Sequence, residues 1–284
     1  MSFLKHLVKA STEISIRDMI LLRVGSHESA RSNNPLHASD LTRETEFCPR
    51  EVALMELLKI KRKDEFIGAT LQMTFDEGKD KQARLNNDYL RDVMVGHWKC
   101  VACGHLVVFQ KLPKGSCVIC GATKKWVYKE VMFTHATAGF TGSVDSLLYV
   151  GQPKYRMVEI KIMGQDQWVD LKAPLAEHKL RTNLYLRLIE EAKEDGWAKQ
   201  INTEVSHVLY WLRGFGKKNE DGKISPFKEF LIRRDDKATD YLVERAQAVR
   251  DYRVEKENNM VVSLPKAICS TAMCGRAEKC PVAK

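Results

Sequence analysis

The sequence has no long hydrophobic run, and this absence argues against a membrane-spanning protein. A helix that spans a bilayer needs roughly 20 consecutive apolar residues, and no stretch of the 284 residues approaches that length. Residues 1–25 also lack the layout of a secretory signal peptide. We therefore expect a cytoplasmic protein without a membrane partner.

Internal repeats and low-complexity linkers are also missing, which argues against a repeat array. The hydrophobic fraction of 44% and the charged fraction of 29% are ordinary for a globular protein. A length of 284 residues suits one sizeable domain with an insertion, or two small domains. The net charge of +9 favours a polyanionic partner.

No cysteine is left over when the eight are divided into two groups of four. Disulfides are rare in a reducing cytosol, so clustered cysteines there indicate metal binding. The mid-chain group consists of two Cys-x-x-Cys pairs, Cys100, Cys103, Cys117 and Cys120. Two such knuckles complete a tetrahedral zinc site, and Gly104 and Gly121 follow them where positive φ is expected. A redox pair is the alternative, but two matching copies favour a structural zinc ribbon.

The second group joins the two ends of the chain. It consists of Cys48, Cys269, Cys274 and Cys280. From spacing alone, these cysteines could ligate a [4Fe–4S] cluster that clamps the ends of the domain together. Zinc binding by the C-terminal cysteines and idle thiols are the open alternatives.

Hydrophobic periodicity predicts alternating helices and strands around the ribbon. The predicted order is helix 66–95, strands 126–133, 140–150 and 155–163, helix 175–196, strands 204–213 and 228–234, and helix 236–257. Along the first helix, the predicted apolar positions are Leu71, Phe75, Leu85, Tyr89 and Val93. The order indicates a mixed α/β core in which helices flank a sheet.

The run Val158-Glu-Ile-Lys-Ile162 has two charged residues within an apolar strand. Side chains alternate along a strand, so Glu159 and Lys161 share one face. Asp145 lies on the preceding strand of the same hairpin. Asp145, Glu159 and the Ile160 carbonyl could converge on Mg²⁺ or Mn²⁺, with Lys161 serving an attacking water. A solvent-facing edge strand is the alternative.

Several stretches, taken in order, resemble the PD-(D/E)xK nuclease superfamily, and within it the RecB-type exonucleases with an iron–sulfur cluster, including the CRISPR-associated ones. The stretches are LHASDLTRETEFCPREVALMELL, FDEGKDKQARLNNDYL, GSVDSLL, VEIKIM and EHKLRTNLYLRLIEE. The resemblance spans about residues 37–284, with the ribbon as an insertion. It implies a restriction-endonuclease-like core with a terminal iron–sulfur clamp at Cys48, Cys269, Cys274 and Cys280.

The resemblance also implies a function. It predicts a Mg²⁺- or Mn²⁺-dependent DNA exonuclease of a bacterium or phage, acting on single-stranded or resected ends in recombination, repair or replication. Asp145, Glu159 and Lys161 would be catalytic. Tyr185 matches the DNA-contacting tyrosine of the family's Gln-x-x-x-Tyr helix, although its helical spacing also suits a core position. Sequence-specific endonuclease activity is a further alternative.

Two positions depart from the family pattern. Gln82 stands where the family has a metal-binding His, and it offers a weaker, neutral oxygen. Arg181 replaces the Gln of Gln-x-x-x-Tyr and could contact a phosphate. These two residues favour the alternative of a catalytically attenuated nuclease fold that serves as a DNA-binding or assembly subunit.

The predicted organisation has four parts. Residues 1–97 form an N-terminal helical region, 98–125 the zinc-ribbon insertion, 126–257 the nuclease core and 258–284 the iron–sulfur cysteine tail. The expected partners are DNA, recombination or replication proteins, and further copies of the chain.

Overall fold

The computed structural model describes most of the chain: residues 36–42, 47–59, 69–123, 126–151, 153–194, 196–214, 217–218, 224–258 and 263–266, with Ile20, Val24, Met260 and Cys280. Its helices are α1 (Ala38–Leu41), α2 (Pro49–Leu57), α3 (Ala69–Arg84), α4 (Gln165–Val169), α5 (Ala176–Glu191) and α6 (Asp240–Glu257). Its strands are β1 (Leu36–His37), β2 (Val95–Cys100), β3 (Leu106–Lys111), β4 (Trp126–Lys129), β5 (Val131–His135), β6 (Phe140–Val144), β7 (Ser146–Leu148), β8 (Arg156–Met163), β9 (Val205–Leu212), β10 (Lys217–Lys218), β11 (Ile224–Ser225) and β12 (Phe227–Arg233).

A four-stranded sheet with the order β12-β9-β8-β7 forms the centre of the molecule. Strands β8 and β9 pair in parallel, from Val158 opposite His207 to Met163 opposite Leu212. The connection between them contains helix α5, as a parallel crossover requires. The other two pairings of this sheet are antiparallel. Strand β8 therefore has a neighbour on each side.

Strands β6 and β7 are separated by a single residue, Asp145. Strand β6 pairs with β5 and β1, whereas β7 pairs with β8. The chain thus changes its pairing partner at Asp145, where it bends. This residue joins a three-stranded sheet to the central sheet.

The cysteine-rich segment forms a three-stranded antiparallel sheet with the order β3-β2-β4. Trp98 is fully buried, and its ring meets the ring of Tyr128 edge-on with centroids 5.5 Å apart. An isolated bridge between Met94 and Leu148 connects the start of β2 to the end of β7. The ribbon sheet is therefore anchored at the β7 edge of the central sheet.

Helices α5 and α6 supply much of the main hydrophobic core. Leu184 and Leu188 of α5 lie in one buried cluster with residues of strands β6, β7 and β8. Leu242 and Val249 of α6 belong to the same cluster. Burial of apolar side chains at helical spacing is the main reason these segments form helices in this protein.

The predicted mixed α/β architecture, with strands in sheets flanked by helices, is confirmed. The predicted strands 155–163, 204–213 and 228–234 and the two later helices are found within a few residues of their expected bounds. The predicted strands 126–133 and 140–150 are each divided in two, into β4 and β5 and into β6 and β7, and the two halves pair in different sheets. None of the helices in the described ranges has the length and apolarity needed to cross a membrane.

The prediction for helix 66–95 is wrong at its C-terminal end and for its buried face. The α-helix ends at Arg84, and a π-helical turn, Leu85–Tyr89, and a 3₁₀ turn follow. Of the five predicted apolar positions, only Leu85 is buried. The helix instead turns Gly78, Lys81 and Gln82 toward the central sheet, where Lys81 lies over the Trp211 ring. A polar inner face cannot be recognised from apolar periodicity.

Candidate active site

Asp145, at the bend between β6 and β7, is held by a hydrogen bond from strand β8. The Ile160 N–H donates to Asp145 Oδ2 at 2.7 Å. The next pair along the ladder is Ser146 opposite Val158. The Asp145 carboxylate therefore lies beside the segment of β8 that carries Glu159 and Lys161.

Glu159 and Lys161 form an ion pair on one face of β8. Lys161 Nζ lies 2.6 Å from Glu159 Oε1. Glu159 is only 1% exposed, and its Oε2 has no hydrogen-bond partner within the described structure. The alternative of a solvent-facing edge strand is wrong, because β8 lies between β7 and β9 and Glu159 is buried.

Gln82 brings a third carboxylate into the group. Its Nε2 donates to Asp145 Oδ1 at 3.1 Å and to Glu130 Oε1 at 2.9 Å. Glu130 occupies the one-residue gap between β4 and β5. The sequence analysis missed Glu130, and the only sequence signal is an acidic residue directly after a long acid-free segment. Gln82 thus bridges two acidic side chains from different strands.

The charges of this group are not balanced. Burial, followed by the neighbouring Glu159, raises the pKa of Asp145 well above its usual range. Burial also raises the pKa of Glu130, with a smaller contribution from Glu159, although the hydrogen bond from Gln82 acts in the opposite direction. Burial opposes the charged form of Lys161, but Glu159 and Asp145 outweigh it and raise the pKa of Lys161. Asp145 and Glu159 therefore act on the Lys161 ammonium group, and Glu130 is influenced by both Lys161 and Lys129.

This donor set fits a hard divalent cation. Carboxylate and amide oxygens are the ligands that Mg²⁺ and Mn²⁺ prefer, and the unpartnered Glu159 Oε2 is a buried donor without a use in the protein alone. The fit is to the pair Asp145 and Glu159. Among the described residues, the acidic side chains form no group of three ligand atoms within 4.8 Å of one another. The Gln82 amide lies between Asp145 and Glu130.

The π-helical turn that follows α3 holds the bend at Asp145. Buried Asn86 donates from Nδ2 to the Asp145 carbonyl at 3.0 Å and accepts the Ser146 hydroxyl at 2.6 Å. The neighbouring Asn87 accepts the Tyr128 N–H at 2.6 Å. The two asparagines fix the end of α3 to the site strand and to the ribbon, respectively.

Helix α5 places Tyr185 and Arg181 close to the site, in different environments. Tyr185 is buried against Gly142, where an added Cβ would lie 2.5 Å from Tyr185 Cε1. Burial, followed by Glu159 and Asp145, raises the pKa of its phenol well above the usual range. Arg181 donates from Nε to Thr42 Oγ1 at 3.2 Å. Tyr185 thus has a packing role in this structure.

His178 is a neutral histidine next to the site. Its Nδ1 lies 2.8 Å from the Tyr210 hydroxyl, and its Nε2 lies 3.0 Å from Glu177 Oε1. Burial, followed by the positive charges of Lys161 and Arg181, lowers the pKa of His178 to about 3.

The four mid-chain cysteines form a group that could bind a metal ion. Their sulfur atoms all lie within 4.8 Å of one another, with Cys100 Sγ 3.7 Å from Cys120 Sγ and Cys103 Sγ 3.6 Å from Cys117 Sγ. Four sulfurs in a tetrahedron around zinc, at a Zn–S distance of about 2.3 Å, would be separated by about 3.8 Å. The donor set therefore fits zinc.

The two knuckles repeat the same backbone geometry. The Gly104 N–H donates to the Cys100 carbonyl at 2.9 Å, and the Gly121 N–H donates to the Cys117 carbonyl at 2.8 Å. Both glycines have positive φ, of 79° and 71°, as expected. Such a turn leaves each cysteine pair pointing at a common centre.

The second cysteine group is only partly described. Cys48, directly before helix α2, and Cys280 are both buried free cysteines. Cys269 and Cys274 lie outside the described residues. The ligand set predicted for an iron–sulfur cluster therefore stays a prediction.

Comparisons with solved structures give several distant structural likenesses. No protein-family model and no curated protein matches the chain. A solved protein called SSO0001 is 15% identical over 95% of this chain and 97% of its own, with a TM-score of 0.40. An alkaline exonuclease, LHK-Exo of Laribacter hongkongensis, is 13% identical over 86% of this chain and 95% of its own, with a TM-score of 0.43. A phage-related exonuclease of Haemophilus somnus 129PT is 16% identical over 74% of this chain and 82% of its own, with a TM-score of 0.34.

These identities and TM-scores are too low to establish a shared fold or activity. The functional assignment therefore depends on the site residues, which form an acidic cluster with one lysine at a bend between two sheets.

Proposed function

We propose that this chain is a Mg²⁺- or Mn²⁺-dependent deoxyribonuclease of the PD-(D/E)xK type. We infer an exonuclease, rather than an endonuclease, that acts on single-stranded or resected ends in recombination, repair or replication. One observation carries the proposal: Asp145, at the bend before β7, lies beside the segment of β8 that holds the buried Glu159 and Lys161, and one oxygen of Glu159 has no partner in the described structure.

The cation would be held by Asp145 and Glu159, together with the Ile160 carbonyl. Gln82 can contribute its amide oxygen after a half-turn of the amide group, because N and O exchange places in that rotation. Glu130 accepts a hydrogen bond from Gln82 and adds a further carboxylate near the cation site. A bound divalent cation supplies positive charge that polarises the phosphodiester and lowers the pKa of water.

The protein side chains have separate tasks in hydrolysis. Lys161, held 2.6 Å from Glu159 Oε1, carries a positive charge that orients the attacking water and offsets the charge developing on the phosphate. The water oxygen bonds to phosphorus and releases a proton to solvent, while the bond from phosphorus to the leaving nucleotide oxygen breaks and that oxygen takes up a proton from solvent. The Ile160 N–H keeps the Asp145 carboxylate in place.

The basic balance of the chain supports DNA as the partner. With a net charge of +9, the chain should bind DNA through phosphate contacts, and the affinity should fall as salt rises. We infer that recombination or replication proteins and further copies of the chain are additional partners. These inferences rest on the sequence resemblance alone.

One observation favours the alternative of a DNA-binding or assembly subunit with attenuated chemistry. The Gln82 amide donates to both Asp145 and Glu130, so it competes with a cation for those carboxylate oxygens. A slow or inactive site would result if this bridge persisted in the presence of metal.

Incubation of anaerobically purified protein with end-labelled DNA and Mn²⁺ separates the two functions. Asp145→Ala and Lys161→Ala serve as matched variants, and circular plasmid tests for endonuclease activity. We expect the wild-type protein to degrade linear single strands or resected ends, and both variants to lose that activity. Binding of DNA without any cleavage by the wild type would contradict the enzyme and favour the attenuated subunit.

The two cysteine groups are proposed to have structural roles. We infer a zinc ion at Cys100, Cys103, Cys117 and Cys120, and a [4Fe–4S] cluster at Cys48, Cys269, Cys274 and Cys280. Metal analysis with a visible absorbance spectrum tests both assignments. A brown preparation with zinc and iron is expected. A colourless preparation with zinc at both groups would contradict the cluster.

A further inference from the structure

The ribbon segment, here residues 93–129 with the strands β2, β3 and β4, has an unusual charge. Between Asp92 and Glu130 the sequence contains six lysines and no Asp or Glu, although the whole chain has 37 acidic residues. Four of these lysines fall within the described part of the ribbon, and all four are exposed: Lys99, Lys111, Lys114 and Lys129. Zinc with four thiolates would carry a charge of −2, so the segment would keep a net charge of +6 − 2, about +4.

The tips of the two knuckles are apolar and face solvent. Val101, Val118 and Ile119 are 62%, 84% and 68% exposed, respectively. The knuckle geometry explains this exposure, because each pair of cysteines turns inward and the residues between them project outward. The ribbon buries Trp98, Trp126 and Tyr128 in a separate interior cluster. The tip residues are therefore not needed for the ribbon's own core.

The ribbon is tied directly to the proposed active site. Strand β4 leads into Glu130, which accepts from Gln82, and the Tyr128 N–H donates to Asn87 at the end of α3. Met94 and Leu148 bridge the start of β2 to β7. A ligand held by the ribbon would thus lie at a fixed position relative to Asp145.

We propose that the ribbon binds an unpaired segment of DNA next to the active site. The lysines would contact phosphates, and the tip residues Val101, Val118 and Ile119 would pack on exposed bases. Phosphates alone would explain the lysines, but the apolar tips require a ligand that also has apolar faces. Bases offer those faces only where they are unpaired or unstacked, and small apolar wedges are a known means of contacting them. The acid-free surface disfavours a basic protein partner.

This inference deepens the proposed function and relies on it for DNA as the substrate. It adds a preference for substrates with an unpaired segment, which the ribbon rather than the catalytic residues would recognise. The binding test therefore uses the full chain with Asp145→Asn, so that cleavage does not interfere.

Fluorescence anisotropy over a salt series can measure the affinity for a labelled single strand and for a duplex of equal length. The test variants are Val118→Ser with Ile119→Ser, and Lys111→Gln with Lys114→Gln. The matched controls lie at or after β12, the opposite edge of the central sheet: Leu231→Ser, whose side chain is 51% exposed, and Lys237→Gln. Zinc content and the melting temperature of each variant show that the ribbon remains folded.

We expect the tip variant to bind the single strand about tenfold more weakly and the duplex almost unchanged, because partial burial of an aliphatic side chain contributes energy of that size. The lysine variant should lose affinity for both DNAs, with a shallower salt dependence. Control variants should match the parent. If Ser substitution releases zinc, Val118→Thr takes its place, since it keeps the volume and replaces one methyl group with a hydroxyl group.

The proposal is overturned if zinc-loaded tip variants bind the single strand as tightly as the Leu231 control. It is also overturned if they lose affinity for single strand and duplex equally, since that pattern would indicate backbone contacts only. Wild-type cleavage is measured separately. If the tip variant binds DNA more weakly but the wild type never cleaves DNA, the ribbon surface is supported and the nuclease function is contradicted. If the wild type cleaves DNA but the tip variant binds as tightly as its parent, the nuclease function is supported and the ribbon surface is contradicted.

Discussion

Asn86 holds the main chain, rather than the carboxylate, of the key aspartate. Its amide donates to the Asp145 carbonyl and accepts the Ser146 hydroxyl, and the side chain is buried. It lies in a π-helical turn, a feature often found at functional sites. In the proposed mechanism, such a residue positions Asp145 without touching the substrate.

We expect Asn86→Ala to lower kcat by about a hundredfold while KM changes little, because small displacements of reacting groups are costly. The loss of the buried hydrogen bonds should also cost about 1–3 kcal/mol of stability. Steady-state kinetics and thermal melts provide the measurements, with the exposed Asn258→Ala as the control. Equal changes in melting temperature with unaltered kcat would show that Asn86 is only structural.

Glu130 shows how a charge can matter without being found in the sequence. Glu159 contributes to its raised pKa, and Gln82 connects it to Asp145. Nothing in the residues around position 130 reveals this proximity, since it depends on the meeting of β4, β5 and helix α3.

We expect Glu130→Gln to raise the Mn²⁺ concentration required for half-maximal cleavage by about tenfold, a usual effect of removing a partner of a metal ligand. The loss of one negative charge near Asp145 and Glu159 weakens their attraction for a cation. A Mn²⁺ titration of cleavage checks this, with the exposed Glu204→Gln as the control. An unchanged titration would exclude Glu130 from the site.

At the scale of elements, the strands were more predictable than helix α3. The alternation in Val158–Ile162 and the turn at Gly151–Pro153 suffice to predict the β7–β8 hairpin, which brings Asp145 and Glu159 onto adjacent strands. Helix α3 instead packs a polar face against the sheet, while Leu71 and Phe75 are exposed. Its apolar pattern therefore indicated the wrong face, and Gln82 could be placed only by the family resemblance.

The close contact between strand β6 and helix α5 leaves no room for a side chain at Gly142. An added Cβ would lie 2.5 Å from Tyr185 Cε1 and 2.8 Å from Leu188 Cδ1. Overpacking of this kind usually costs about 1–3 kcal/mol. Strand β6, which leads into Asp145, can therefore pack closely on helix α5 because Gly142 has no side chain.

We expect Gly142→Ala to lower the melting temperature, whereas Gly164→Ala should have little effect because nothing lies within 4 Å of a Cβ there. Combining Gly142→Ala with Tyr185→Leu should restore part of the loss, since the smaller side chain removes the clash. Thermal melts of the wild type, Gly142→Ala, Tyr185→Leu, the double variant and the Gly164→Ala control provide the test. Additive losses in the double variant would contradict this packing explanation.

At the scale of the whole molecule, His178 links folding to pH. Its folded pKa is about 3, whereas an unfolded histidine has a pKa of about 6.5. Between these values the unfolded chain binds one more proton than the folded chain, so stability rises with pH. The stabilisation of the neutral form is complete above about pH 6.5 and decreases as pH falls toward 3.

We expect the wild-type melting temperature to decrease from pH 7 to pH 5 more steeply than that of His178→Gln. One linked proton corresponds to about 1.4 kcal/mol per pH unit. The groups that face the imidazole are Glu177 and Tyr210 by contact and Lys161 and Arg181 by charge. Melting curves at several pH values give the slopes, and parallel slopes would rule out His178 as the linked group.

The parallel pairing of β8 with β9 has a consequence for the timing of synthesis. Asp145 and Glu159 leave the ribosome well before Val205–Leu212, the strand that completes the sheet beside them. Contacts between parts of a chain so far apart form late in folding. A nascent chain that ends before Val205 would hold both acidic strands without the neighbour that completes their sheet, so cleavage activity should first appear only after Leu212 has been made.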